Sequence, residues 1–259
     1  MPALLSTVTV AAVGLTCKAV FATRLCSVQV TGLGTLLNAL EHTNGRGVVT
    51  VSNHISTLDD PLTWGILPAR CFFSSRTTRW ALGASDVVFT NPVFSTFFHL
   101  GQTIETFRGQ GVYQKAVDSA IHKLDNGGWV HLFGEGKIYQ PNAYPKDSQG
   151  LSHLPRFKWG VGRILMESSH KLPMVIPMWL TGYERLMPEG RPFPYKYIPR
   201  FGTKLGVAIG DPIPPEQLLA AMSSNPHDTD ASRSQVTALV HDHVEALGRR
   251  ASANPSLLT

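Results

Sequence analysis

The sequence predicts an α/β fold: one domain built on a mainly parallel sheet flanked by helices, preceded by an N-terminal membrane-associated helix. Three observations predict it. Short β-rich runs alternate with helical patterns along most of the 259 residues, as in a parallel sheet with crossover helices. The polar residues suited to chemistry fall just after those runs, where an open α/β sheet collects its ligands. The first forty residues hold no acid, and "ALLSTVTVAAVGLTC" gives fifteen uncharged residues before Lys18.

A straight bilayer crossing takes roughly 20 apolar residues, so a run of this length reads as an interfacial, re-entrant or buried helix. It lacks the basic leader of a secretory signal, and Lys18 and Arg24 make a sparse mitochondrial presequence. The expected organisation is a membrane-associated segment over residues 1–30 and one catalytic domain over 31–259.

Further elements follow in order. "GVVTVSN" (47–53) reads as a strand, with a helical pattern from Pro61 to Leu67. "RCFFSS" (70–75) reads as another strand. "NPVFSTFFHLG" (91–101) reads as an apolar helix stopped by Gly101, and "QTIETF" (102–107) as a strand. In "QGVYQKAVDSAIHKLDNGG", Val112, Ala116, Val117, Ala120, Ile121 and Leu124 keep helical spacing, and Asn126-Gly127-Gly128 ends the helix. "WVHLF" (129–133), "MVIPMWL" (174–180) and "KLGVAIG" (204–210) are the remaining strands. "SQVTALVHDHVEALGRR" is an amphipathic helix with Val236, Leu239, Val240, Val244 and Leu247 on one face. Residues 138–155 and 184–203 read as Pro-rich loops, and 223–233 as a polar linker.

Composition narrows the function. Hydrophobic residues make up 43% and charged residues 16%, with formal net charge +5; a soluble domain usually carries about a quarter charged residues. A basic balance in so apolar a chain suits an anionic membrane surface or anionic substrates. No Lys/Arg-rich helix, zinc-finger spacing or aromatic RNA-binding motif is present, so no nucleic-acid partner is expected. Cys17, Cys26 and Cys71 are odd in number and lack C-x-x-C spacing, against a disulfide framework or zinc site. His241 and His243 lie two residues apart on a helix, off a common face, and read as solvated rather than metal-binding. No metal and no cofactor is expected.

Three short stretches carry the chemistry. In "NHISTLDDP" (53–61), His54 and Asp59 are five residues apart. In a continuous helix they would point roughly 140° apart. They meet if His54 ends a strand and Asp59 begins the next helix, with Asp60 as its N-cap and Pro61 at the first helical position. Asp59 is then free to fix the imidazole tautomer and leave the other nitrogen as a general base; a solvated histidine in an Asx-rich turn is the plainer alternative. "FGEGK" (133–137) offers backbone N–H groups as an anion nest, with Lys137 adding charge. It is not a P-loop. In "TFRGQG", Arg108 follows a strand and could clamp a phosphate bidentately; a surface arginine is the plainer alternative.

Asn53-His54-x-x-x-x-Asp59, Phe107-Arg108, Phe133-x-Glu135-Gly136 and the strand "VIPMW" stand in the order found in glycerolipid acyltransferases, which the chain resembles from about residue 44 to 215. "NHISTLDDPLTWGIL", "RGQGVYQKAVD", "GGWVHLFGEGKI" and "RFKWGVGRI" look most like the mitochondrial phospholipid–lysophospholipid transacylases of that superfamily. The resemblance implies His54 as base and Asp59 as its orienter, with Asn53, Arg108, Glu135, Gly136 and Lys137 binding substrate. It also implies a phospholipid donor and lysophospholipid acceptor (cardiolipin and monolysocardiolipin) without CoA. It further implies interfacial attachment to inner or outer mitochondrial membranes, facing the intermembrane space.

The chain departs from the family at Gly134, usually Pro, and at Lys137-Ile138, where glycerol-phosphate acyltransferases carry Thr and often Arg. The basic and aromatic residues of "RPFPYKYIPRF" (191–201) suit the headgroup level of a bilayer. An acyl-CoA-dependent lysophospholipid acyltransferase is the alternative, and a lipid-binding protein with a vestigial pair the third reading. The oligomeric state stays open.

Overall fold

The structure, a computed structural model, describes residues 2–42, 44–168 and 171–253. Its seven strands are β1 (Ser27–Thr31), β2 (Val48–Ser52), β3 (Trp80–Ala84), β4 (Thr103–Thr106), β5 (Trp129–Phe133), β6 (Met174–Thr181) and β7 (Lys204–Ile209). They pair in the order β1-β7-β6-β2-β5-β3-β4. Every neighbouring pair is parallel except β6 with β7. Five strands therefore run one way, and β1 and β7 run the other. The mainly parallel sheet expected from the sequence is present.

Strand alternation divides the sheet into two faces. Val49 and Val51 of β2 enter one core with Val130 and Leu132 of β5. That core is closed by α6 (Lys115–Asp125), α7 (Gly160–Glu167) and α10 (Thr229–Ala253). Val48 and Trp129 enter the other core, which lies under α1 (Pro2–Ala22) and α2 (Leu33–Glu41). Thr50, Ser52 and His131 share this second face and are almost fully buried. Their polar groups satisfy one another: Thr50 Oγ1 lies 2.8 Å from His131 Nδ1, and Trp129 Nε1 donates to Thr50 Oγ1 at 2.9 Å.

Several expectations are corrected. Residues 70–75 are not a strand. Ala69–Phe73 forms a 3-10 helix, because Pro68 starts the turn and Phe72 packs its ring against Gly14 of α1. The supposed linker already belongs to α10 from Thr229 onward. The boundary after residue 30 falls inside β1, so the sheet begins within the segment assigned to the membrane. His241 is not solvated: its Nε2 meets the Leu154 carbonyl at 3.0 Å and its ring packs on Phe157.

Short helices α3 (Asp59–Thr63), α4 (Ser85–Val88), α5 (Pro92–Leu100), α8 (Tyr183–Leu186) and α9 (Pro215–Met222) complete the architecture. α5 starts as the sequence implies, with Asn91 Oδ1 accepting from the Phe94 N–H at 3.0 Å and Pro92 in its first turn. The carboxyl ends of β2 to β6 lie along one edge of the sheet, and the candidate site residues follow them there.

Candidate active site

β2 ends at Ser52, and the next residue anchors the loop. The side-chain amide of Asn53 donates to the Leu180 carbonyl at 3.0 Å and accepts from the Leu180 N–H at 2.7 Å. Both ends of that amide are used, and the residue is buried. Asn53, expected among the substrate-binding residues, clips the exit of β2 to β6 and so sets the position of His54.

His54 and Asp59 do meet. His54 Nδ1 lies 2.9 Å from Asp59 Oδ2. The same oxygen accepts the Ile55 N–H at 2.6 Å and the Ser56 N–H at 2.8 Å, so residues 54–56 wrap round one carboxylate. Asp59 is completely buried, while the His54 side chain is 20% exposed. Burial pushes the Asp59 carboxyl above the usual carboxylate range, opposed by the hydrogen bonds from His54, Ser56 and Ile55. With Nδ1 donating to a carboxylate, Nε2 is the nitrogen left to accept a proton. The imidazole stacks on Phe133, with centroids 4.1 Å apart and planes at 22°.

Asp60 is not the helix cap that the sequence suggested. Leu58 occupies that position, and Asp60 Oδ1 accepts from Trp64 Nε1 at 3.0 Å and Arg79 Nε at 2.9 Å. Arg79 also donates to the Gly101 carbonyl at 2.9 Å. The Arg79 guanidinium holds the Asp60 carboxyl below its ordinary range despite burial. The pair ties α3 to the start of β3 and the end of α5. Below it lies His131, whose burial lowers its pKa to about 3, so the ring is neutral through the physiological range and adds no positive charge beneath His54.

The turn after β5 is zipped to the loop after β2. Gly134 N–H donates to the Ser52 carbonyl at 3.3 Å, and Tyr139 N–H to the His54 carbonyl at 2.8 Å. Glu135 Oε1 accepts the His54 N–H at 3.0 Å. Desolvation raises the Glu135 pKa to about 7, and its Oε2 is buried without a hydrogen-bond partner among the described residues. Gly136 adopts φ +70°, which favours glycine, and Lys137 places its ammonium over the Tyr139 ring at 4.5 Å. Glu135 thus holds the backbone of His54.

Arg108 stands apart from this group. It follows β4, three strand positions from β2 in the sheet, roughly 14 Å at the usual interstrand spacing. It makes an exposed ion pair with Asp86 at 3.2 Å. Its loop is held from below, where Arg163 donates to the Val112 carbonyl at 2.6 Å and Arg233 to the Tyr113 hydroxyl at 2.8 Å. His54, Asp59 and Glu135 therefore form one cluster, with Arg108 at its flank.

Sequence reasoning passed over two contributors, and it named Phe133 only as part of a motif. His131 was visible two residues before Phe133 on the same strand. Gln140 carried no signal: its amide reaches the Ile55 carbonyl at 3.3 Å and the Met187 carbonyl at 3.0 Å, bracing the His54 loop.

This arrangement suits the removal of a hydroxyl proton during acyl transfer. Residues 27–181 match the acyltransferase family. The chain is 38% identical over 213 residues to a tafazzin of Dictyostelium discoideum, covering 80% of this chain and 69% of that one. It is 40% identical over 169 residues to the tafazzin of Drosophila melanogaster, covering 65% of this chain and 41% of that longer relative. The crystal structure of the 1-acyl-sn-glycerophosphate acyltransferase from Thermotoga maritima shares the fold, with TM-score 0.57 at 20% identity over 92% of this chain and 79% of that one. The chain belongs to the acyltransferase family, among the tafazzins, and is an acyltransferase.

Proposed function

We propose that the chain moves acyl groups between phospholipids and lysophospholipids without CoA, with His54 as general base and Asp59 as its orienter. The observation that carries this reading is His54 Nδ1 on a buried carboxylate, with Nε2 left to accept a proton, in a chain related to tafazzins. An acceptor hydroxyl gives its proton to Nε2 while its oxygen attacks the donor ester carbonyl. The tetrahedral intermediate then expels the donor's alcohol oxygen, which takes the proton back. One ester is made and one broken, so no activated donor is needed. The base requires only that hydroxyl and carbonyl lie about 3–3.5 Å apart. Cardiolipin and its monolyso form are the substrate pair that the family relationship favours, and mitochondrial membranes the location.

The surface supports attachment to one leaflet. Residues 3–22 form a helix long and apolar enough to cross a membrane, yet Lys18 Nζ donates to the Leu67 carbonyl at 2.8 Å. The one charge of α1 is thus spent on the catalytic domain, leaving Leu4, Leu5, Val8 and Leu15 exposed. Beside it, Val93, Phe94 and Phe97 of α5 are also exposed, and Ser6 Oγ donates to the Leu100 carbonyl at 2.8 Å. A helix docked along the domain lies in the interface rather than through it. Phe193, Tyr195, Tyr197 and Phe201 are exposed in the loop entering β7, at the level suited to headgroups.

The test is a transfer assay with purified protein, labelled phospholipid and lysophospholipid, with and without added CoA or acyl-CoA. Label should move in both directions without either. Transfer only from acyl-CoA would replace this reading with the acyl-CoA-dependent one.

A further inference from the structure

A second cationic element lies against the Gly134–Gly136 turn. In the segment leading into α7, Phe157 is buried while Arg156 and Lys158 on either side are exposed. The Phe157 ring fills the space over Gly134, where a Cβ would fall 2.4 Å from ring carbons. The Lys158 N–H donates to the Gly134 carbonyl at 2.8 Å. Two attachments thus fix this strap to the turn whose Glu135 holds the His54 backbone.

The Lys158 side chain continues over the turn. A Cβ on Gly136 would meet its Cγ at 3.0 Å and its Cε at 3.7 Å, so the stem lies along the glycine and the ammonium is one bond further out. Lys137, the next residue in the turn, is exposed as well. Among the described residues, Lys137, Arg156 and Lys158 take part in no ion pair with an acid. Lys158 and Lys137 thus flank Gly136, with Arg156 two residues before Lys158 on the same strap, and this local positive charge favours an anion. A lysine whose stem packs on backbone presents its ammonium with little freedom left to lose.

We propose that Lys158, supported by Arg156 and Lys137, binds the phosphodiester of the lipid substrate and so places its hydroxyl or ester at His54. This rests on the transacylase reading above. Lys158 is a binding residue here, and Phe157 and Gly134 are what position it.

The test compares Lys158→Met, which keeps the stem and loses the charge, with Lys158→Arg. The readout is the ratio of kcat/KM for lysophosphatidylglycerol to that for monoacylglycerol, which lacks the phosphodiester. Lys158→Met should lower that ratio about tenfold or more, and Lys158→Arg should restore most of it. A second arm measures calorimetric binding of dihexanoyl phosphatidylglycerol, kept monomeric, against dihexanoylglycerol. A third measures sedimentation with phosphatidylglycerol vesicles. Monomer binding should fall in Lys158→Met while vesicle binding holds. A ratio within twofold of wild type would overturn the subsite. So would loss of vesicle binding with monomer binding intact, which would assign the cations to the bulk bilayer. If the wild type transfers nothing to lysophosphatidylglycerol, the transacylase reading falls, and monomer binding still decides the subsite.

Discussion

Replacing Asp59 by Asn should separate the electrostatic role of the carboxylate from its structural one. A single oxygen, Oδ2, collects the His54 Nδ1 proton and the Ile55 and Ser56 N–H groups, whereas Oδ1 is buried without a partner among the described residues. An asparagine with its carbonyl at the Oδ2 position keeps all three hydrogen bonds and the same tautomer. What disappears is the negative charge that stabilises the imidazolium formed during transfer. The charge centres are roughly 4 Å apart, worth about 4 kcal/mol at an effective dielectric constant near 20. That corresponds to about three decades in rate.

Stability should move little. The variant removes a buried charge whose pKa burial already pushes up, but leaves an amide N–H group in the unpartnered Oδ1 position. Single-turnover transfer and thermal unfolding, measured on the same preparation, provide the test. A folded Asp59→Asn protein within tenfold of wild-type rate would refute the role given to the charge. Unfolding of the variant would refute the claim that one oxygen carries the structural load.

Two other sites give sharp expectations. Glu135 holds its proton to about pH 7 in the folded protein, against 4.5 for the ordinary carboxyl. Folding is therefore favoured below pH 4.5 and weakened as pH rises towards 7, by about 3 kcal/mol in total. Glu135→Gln keeps an acceptor for the His54 N–H, so its stability should fall less between pH 4.5 and 7.5 in denaturant titrations; an unchanged slope would contradict the burial argument. Gly134→Ala drives a methyl into the Phe157 ring and should cost about 1–3 kcal/mol. Phe157→Val in the same chain should recover most of that loss, and additive losses in the double variant would show that the two do not touch.

The meeting of His54 and Asp59 was legible because the turn residues and Pro61 separate a strand from a helix within nine residues. Asp60 was misread because its partner, Arg79, lies 19 residues away, and local capping rules do not see it. Asn53 is similar: its amide serves Leu180, 127 residues on. β1 and β3 escaped notice for a different reason. β1 carries Gln29 and two terminal hydroxyl residues, β3 contains Gly83, and neither shows a clean apolar run. α2 did carry a signal, since Leu36, Ala39 and Leu40 fall at helical spacing and are buried. The 70–75 run shows the reverse: apolar residues suited to a strand became a 3-10 turn because Phe72 had a glycine-lined place to fill on α1. Local pattern thus located the β2–α3 turn and the β5 turn, while the contacts that orient them are long-range.

The most direct measurement is CoA-free transfer from labelled phospholipid to lysophospholipid by His54→Ala beside wild type. Loss of a positioned base should lower the rate by about 10²–10⁴-fold, with circular dichroism and melting temperature close to wild type, because His54 is part-exposed and its backbone bonds to Glu135 and Tyr139 remain. Near-wild-type turnover in a folded His54→Ala protein would contradict the account at its centre.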